Sequence, residues 1–318
     1  MIRFGILGCA RISRRGLIPG IQNSQKAKLT AIASRDRSTA QQWAAEFSIP
    51  RAHGSYEELL ADPTVDAVYI PLPNEMHLPY VDAAAKAGKH ILCEKPLALN
   101  EEEAQRMVEV ASNFGVQLME AFMWRHHPRV TKARELLAAG RIGELRLVKM
   151  DFSFQLNPSD WRADPKRGGG ALFDLGCYGI NAARLFSGME PIESRGWTVF
   201  SKSGVDMTSG IQIRFPNNVQ ALIDCSFECP DRNRIEIVGT GGSIELRNGV
   251  LPQEGDGLIL TTSTGSETIF VQHADQYAEQ VNAFCTAIQT GKLPSPAENG
   301  LANMRALEMV QGSLAGTE

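Results

Sequence analysis

The first residues able to do chemistry follow the first apolar stretch, in the run Gly8-Cys9-Ala10-Arg11-Ile12-Ser13. A pyrophosphate seated at a helix N-terminus needs small residues there, so that main-chain N–H groups can approach it. Gly8 meets that need, and Ala10 and Ser13 stand where a full dinucleotide fingerprint carries its second and third glycines. Cys9, Arg11 and Ile12 complete the turn. An ordinary strand-to-helix turn would also use these residues, and what favours a cofactor is the strand before, the helix after and the alternation beyond. Ser34-Arg35-Asp36 closes the second strand. Ser34 and Arg35 suit a ribose 2′-phosphate, favouring NADP over NAD, whereas Asp36 would suit an NAD ribose if the strand ran two residues further. A solvated charge pair in a loop is the bland alternative.

Two more segments join them. Tyr69-Ile70-Pro71-Leu72-Pro73-Asn74-Glu75-Met76-His77 leaves an apolar strand through two prolines. Leu72, Asn74 and His77 suit the nicotinamide side of a cofactor, and Asn74 equally suits a helix N-cap. Glu94-Lys95-Pro96 ends another apolar strand. A lysine there lies at the crevice where parallel sheets bind ligands, and Pro96 restricts it to extended geometry.

The elements that must position these residues alternate through the first third of the chain. Strands are predicted at Ile2–Leu7, Lys28–Ser34, Val65–Pro71, His90–Cys93 and Val116–Glu120. Helices are predicted at Ile12–Ile21, Ser38–Phe47 with Ser38 as N-cap, His77–Ala87, and Glu101–Phe114 capped by Asn100. That alternation specifies a doubly wound parallel sheet. Beyond residue 123 the pattern changes to a helix (Pro128–Ala139), a strand (Leu145–Gln155), a glycine-rich loop and a buried helix (Phe173–Phe186). Six further strand segments follow, the last a hairpin over 257–271, and then helices Gln276–Thr290 and Glu298–Gln311. Strands in succession point to a largely antiparallel sheet. The expectation is α/β: a Rossmann domain over 1–122 and an α+β domain with a large open sheet over 123–318.

Composition narrows the function classes. The 318 residues are too many for one ordinary core. A net charge of -4 argues against a general nucleic-acid surface. No secretory signal or membrane-length apolar run is seen, so a cytoplasmic protein with no membrane partner is expected. The six cysteines lack paired spacing and are expected to be reduced packing residues. Adjacent His126 and His127 diverge and have no ligand cluster around them, so no metal is expected.

The motifs Gly8-x-Ala10-x-Ile12, Pro71-x-Pro73-Asn74-x-x-His77, Ala87-Gly88-Lys89-His90 and Glu94-Lys95-Pro96 together resemble those of the Gfo/Idh/MocA oxidoreductases. The likeness continues through Glu120-Ala121-Phe122-Met123-Trp124-Arg125 and through Gly168-Gly169-Gly170-Ala171-Leu172-Phe173-Asp174-Leu175-Gly176-Cys177-Tyr178. This resemblance implies a homodimer or higher homo-oligomer formed through the C-terminal sheet, and a small carbohydrate-like substrate. It also implies that Lys95 and Tyr178 are the catalytic pair, with Asp174 near the substrate.

Spacing agrees with the last assignment, because Asp174 and Tyr178 lie four apart at a helix start. The glycine run before them would let the backbone pass close to a ligand. Tyrosine rather than histidine at 178 resembles the branch of aldose dehydrogenases (D-xylose 1-dehydrogenase among them), dihydrodiol dehydrogenases and anhydrofructose reductases. Asn157-Pro158-Ser159-Asp160-Trp161-Arg162 resembles that branch too, which puts Trp161 and Arg162 near the cofactor. A free phenol titrates near ~10, and lowering that by about two units requires about 2.7 kcal/mol, which a neighbouring ammonium can supply. The same fold also serves as a non-catalytic NAD(P)-binding regulator, but retention of Lys95, Asp174 and Tyr178 together argues for turnover.

Overall fold

Strands that are apolar on both faces belong in the middle of a parallel sheet covered by helices. That is where β1 (Ile2–Leu7), β4 (Ala67–Ile70) and β5 (His90–Cys93) lie in the computed structural model, which describes residues 1–293 and 295–316. With β2 (Ala27–Ala33), β3 (Arg51–His53) and β6 (Leu118–Glu120) they form one parallel sheet of order β3-β2-β1-β4-β5-β6. Strand order reverses between β1 and β4, and the turns after these strands flank the crevice where such sheets take ligands. Between the strands run α1 (Ile18–Asn23), α2 (Arg37–Glu46), α3 (Tyr56–Leu60), α4 (His77–Lys86) and α5 (Glu101–Asn113).

The predicted helix 12–21 is in fact a π-helical turn, Ser13–Leu17, leading into α1. The cap of α2 is Asp36, two residues earlier than expected, because its carboxylate accepts Ser38 N at 3.0 Å and Thr39 Oγ1 at 2.7 Å. Edge strand β3 and helix α3 were not anticipated.

The later part begins with α6 (Pro128–Ala138), β7 (Leu145–Ser153) and a second π-helical turn, Leu172–Gly176, that runs into α7 (Cys177–Ser187). There follow β8 (Glu193–Phe200), β9 (Asp206–Arg214), β10 (Gln220–Ser226), β11 (Arg232–Gly239), β12 (Gly242–Arg247), β13 (Leu258–Thr262) and β14 (Gly265–Ile269). The chain closes with α8 (Gln276–Thr290), α9 (Ala297–Ser313) and β15 (Leu314–Gly316). Among the described residues the second sheet has nine strands, ordered β14-β13-β12-β11-β7-β10-β9-β8-β15. It is mixed, with β7–β10 and β8–β15 parallel and the other pairs antiparallel. Alternating burial along β8 and β9 gives it one covered face. α7 lies close against β10 because Gly179 has no Cβ to press on Ile223 and Gly176 none to press on Cys225.

Two compact units result. One is Met1–His126 with Ala274–Leu301, and the other is His127–His273 with the chain from Ala302 onward. A single cut after residue 122 does not describe this, since α8 belongs to the parallel-sheet unit. Its Val281, Phe284 and Cys285 are in one core with Phe4 and Ile6. Gly16 and Gly20 of the first helical segment accept its Tyr277, whose ring and Cβ would stand 2.5 and 2.6 Å from any added Cβ. All six cysteines are free thiols, and no described helix is long and apolar enough to cross a membrane.

Candidate functional site

In the parallel-sheet unit, β1 ends at Gly8, whose φ of +112° suits glycine alone. A Cβ there would stand 3.0 Å from Leu72 Cδ2 and 3.6 Å from Tyr56 Oη. Leu72 thus sits over the turn. Cys9 lies near Ser34 at the tip of β2, and burial pushes its thiol up to about 11, so it stays neutral. Next to Ser34, Arg35 is exposed and lies near Tyr56, whose phenol is likewise raised by burial. Tyr56 meets Tyr80 edge-on at 4.9 Å.

Gly8, Cys9, Ser34, Arg35 and Leu72 are therefore brought together, and Tyr56 is the member that the sequence reading missed. Ser55-x-x-Glu58 was the available signal: Ser55 caps α3 by accepting Glu58 N at 3.1 Å, and Tyr56 follows it.

Asp36 is used differently. Hydrogen bonds from Thr39 and Ser38 hold its carboxyl below the usual range and commit it to the start of α2. Arg11 is exposed and Ala10 and Ile12 partly so, while Arg14 is ion-paired with Glu46 and stacked 4.5 Å over Trp43. Ser13 Oγ is buried with no hydrogen-bond partner among the described residues. A turn without a Cβ at Gly8, an orphaned hydroxyl at the first helical turn, no acidic residue in that turn and two exposed arginines fit the phosphates of a dinucleotide.

The Lys95 turn is held from several sides. Glu94 N donates to Ile70 O at 3.0 Å, Tyr69 Oη donates to Glu94 Oε1 at 2.5 Å, and Lys95 N faces Glu94 Oε2 at 3.3 Å. The Lys95–Pro96 peptide is cis. Leu97 N donates to buried Glu120 Oε1 at 2.8 Å.

His77 does not line a cofactor surface. It is fully buried, with Nδ1 3.1 Å from both the Pro96 and the Leu97 carbonyls and Nε2 2.9 Å from the Leu72 carbonyl. Burial lowers its pKa, and the neutral ring fills the space between the β4 and β5 turns, donating from one nitrogen only. Asn74 is buried in a short 3₁₀ turn, and the cap position of α4 is Met76 rather than Asn74.

In the mixed-sheet unit, the glycine run passes close to protein groups instead of opening toward a ligand. A Cβ on Gly169 would collide with the Arg162 and Asp164 carbonyls, and one on Gly170 with Asp206 Oδ1. Arg162 stacks 4.7 Å over Trp161, and its Nη1 lies 3.2 Å from Asp160 Oδ1. Its Nε is 2.9 Å from Asp174 Oδ2. The pair raises the Arg162 pKa against the cost of burial. Asp174 is thus ion-paired, whereas Tyr178 is 6% exposed and meets Phe152 of β7 edge-on at 5.6 Å.

Residues 2–122 match the family model described as "Oxidoreductase family, NAD-binding Rossmann fold", and residues 130–245 match "GFO/IDH/MocA C-terminal domain". The chain is 40% identical to "Uncharacterized oxidoreductase ORF334" of Rhizobium meliloti, over 98% of its own length and 97% of the relative's. It is 38% identical to "D-xylose 1-dehydrogenase (NADP(+)) 2" of Haloferax volcanii, over 98% and 96%. Among solved structures, KijD10, a 3-ketoreductase from Actinomadura kijaniata in complex with NADP and TDP-benzene, superposes with a TM-score of 0.91 at 31% identity. That superposition covers 99% of this chain and 98% of the other.

Proposed function

This chain belongs to the GFO/IDH/MocA family of NAD(P)-dependent oxidoreductases, and from that premise we propose that it is an NADP-dependent dehydrogenase acting on the anomeric hydroxyl of an aldose such as D-xylose. The observation that carries the cofactor choice is the tip of β2. Ser34 and Arg35 stand there near Cys9 and Tyr56, while the carboxylate that would read an NAD ribose is spent on capping α2. The substrate class is supported by the full-length likeness to the Haloferax volcanii enzyme.

The residues that would hold the cofactor are Gly8, Cys9, Ala10, Arg11 and Ile12 at the phosphates, and Ser34 and Arg35 at the ribose. Leu72, Asn74, Glu94, Lys95, Trp161 and Arg162 would serve nearer the nicotinamide. Bound NADP supplies a hydride acceptor. Tyr178 takes the proton of the substrate hydroxyl, and in the reverse direction returns it to the alkoxide oxygen. The Lys95 ammonium favours the phenolate and orients the substrate. Asp174, fixed by Arg162, receives a neighbouring sugar hydroxyl as a hydrogen-bond donor.

A homodimer through the mixed sheet is part of the same reading. Trp197, Val199 and Leu222 all stand exposed on one face of that sheet, at 66%, 42% and 40%. An exposed apolar patch of this kind marks an association surface.

The test is absorbance at the reduced-nicotinamide band with NADP or NAD and a panel of aldoses, dihydrodiols and inositols, run in both directions. Turnover of an aldose with NADP is the expected result. Preferred turnover of a dihydrodiol would move the chain to that branch, and cofactor binding without turnover on any member would sink the proposal in favour of a sensor.

A further inference from the structure

The start of the helix that carries Asp174 and Tyr178 is capped from a distance. The residue at its N-cap position, Ala171, offers no side-chain acceptor, and the first helical turn leaves main-chain N–H groups to be satisfied. Asp206, the first residue of β9, supplies the acceptor: its Oδ2 takes Leu172 N at 2.6 Å. Gly170 lies directly against the other oxygen, at φ +123°. On its far side the same segment is tied to the 161–164 turn, with Gly170 N on Arg162 O at 3.0 Å and Gly169 N on Asp164 O at 3.1 Å.

We propose that Asp206 is a positioning residue for the reaction: by accepting the Leu172 N–H group it sets where Asp174 and Tyr178 stand. The proposal rests on the reading of Tyr178 as the proton-transfer group.

A helix start serving stability alone can be capped locally by serine, threonine, asparagine or aspartate. This one uses a carboxylate brought from a strand, and burial pushes that carboxyl up to about 6. Around it stand the Cys225 thiol of β10, raised well above its ordinary range by burial, and, across Gly169 and Gly170, Asp164 and the Arg162–Asp174 pair. Because the folded value lies above the ordinary 3.8, the stability Asp206 contributes is full below that value and is lost as pH rises through about 6. At neutral pH the ionised carboxylate therefore costs stability while offering only acceptors to the helix start. Protonated, it turns one oxygen into a donor and loses part of that grip. An arrangement kept against stability is expected where a reaction depends on it.

The experiment compares the wild type with Asp206→Asn, which has the same shape but only one acceptor oxygen, and with Tyr178→Phe. D-xylose and NADP are the probes, from about pH 5 to about pH 9. In Asp206→Asn, kcat is expected to fall about tenfold, with KM and NADP Kd within about twofold. The wild-type kcat should show an acid limb near pH 6 that the variant lacks, and the wild-type Tm should decline relative to the variant as pH rises through that value. Crystal structures of both should show the Leu172–Tyr178 backbone displaced in the variant, a reading that needs no turnover. If Asp206→Asn does not fold, Gly170→Ala presses on the same carboxylate, and a lowered kcat with a displaced 170–178 backbone is expected there, the acid limb being kept because Asp206 still titrates.

Wild-type kcat and pH profile in the variant, or superposable 170–178 backbones, would overturn the proposal. Activity in Tyr178→Phe would instead remove the tyrosine reading, whatever Asp206 does.

Discussion

Two helix starts in this protein share an uncommon construction and differ in what closes over them. Ser13–Leu17 and Leu172–Gly176 are both π-helical turns that continue as α-helix, and each follows a glycine with positive φ. π-turns are rare and concentrate at functional sites. At the first, the glycine faces a leucine and a tyrosine hydroxyl, Ser13 Oγ is orphaned, and Arg14 and Arg15 are exposed. At the second, protein carbonyls and Asp206 fill the space around the glycines, and the helix bears a paired aspartate and a nearly buried tyrosine. The first leaves polar groups unsatisfied, the arrangement from which phosphate binding is proposed. The second is closed by the protein itself, as suits side chains that must be held still. Glycine therefore means different things in the two places: close approach of a ligand in one, close approach of the chain's own polar groups in the other.

The largest effect expected from this contrast is at the second start. Tyr178→Phe should lower kcat by about 10²–10⁴-fold, the usual worth of a general acid–base group, and leave NADP affinity unchanged. Steady-state rates beside a fluorescence titration would show it, and wild-type turnover would break the contrast. At the first start, Arg35→Ala should weaken NADP by about ten- to a hundredfold through loss of a charge-assisted contact, with NAD little affected. Equal losses for both cofactors would take the 2′-phosphate away from Arg35. Gly170→Ala should cost on the order of 1–3 kcal/mol in denaturant unfolding, from an unfavourable φ and from pressure on Asp206. A neutral result would mean that the loop yields to the added methyl group. The smallest effect belongs to Asp36→Ala, which should lower Tm slightly as a lost helix cap and leave both cofactor affinities unchanged. A selective loss of NAD binding would restore Asp36 as a ribose ligand.

Much of the parallel-sheet unit was legible because its signals are local. Apolar runs, caps and strand-end turns placed Gly8, Ser34 and Lys95 correctly within their elements. The sequence points to Ser38 as the cap where the structure has Asp36, because both are good capping residues and only hydrogen-bond geometry separates them. Tyr56 was overlooked because its helix is five residues long, too short for periodicity to register. His77 was taken for a cofactor contact, since sequence cannot tell that both ring nitrogens face carbonyls.

The mixed-sheet unit was harder. Asp174 and Tyr178 were visible as a spaced pair, but the partners that fix them are distant: Arg162 lies 12 residues away and Phe152 26. Asp206, 34 residues from Leu172, left no trace at all. The destination of α8 was hidden for the same reason, since its core partners Phe4 and Ile6 lie at the opposite end of the sequence.

Isotope transfer gives the sharpest test of hydride transfer from a sugar carbon to NADP. D-xylose deuterated at the anomeric carbon is incubated with the protein and NADP, and the reduced cofactor is analysed by mass spectrometry. One deuterium in the reduced cofactor and a lowered kcat/KM for the labelled sugar are expected. Reduced cofactor without deuterium, or none formed while NADP binds, would rule that transfer out.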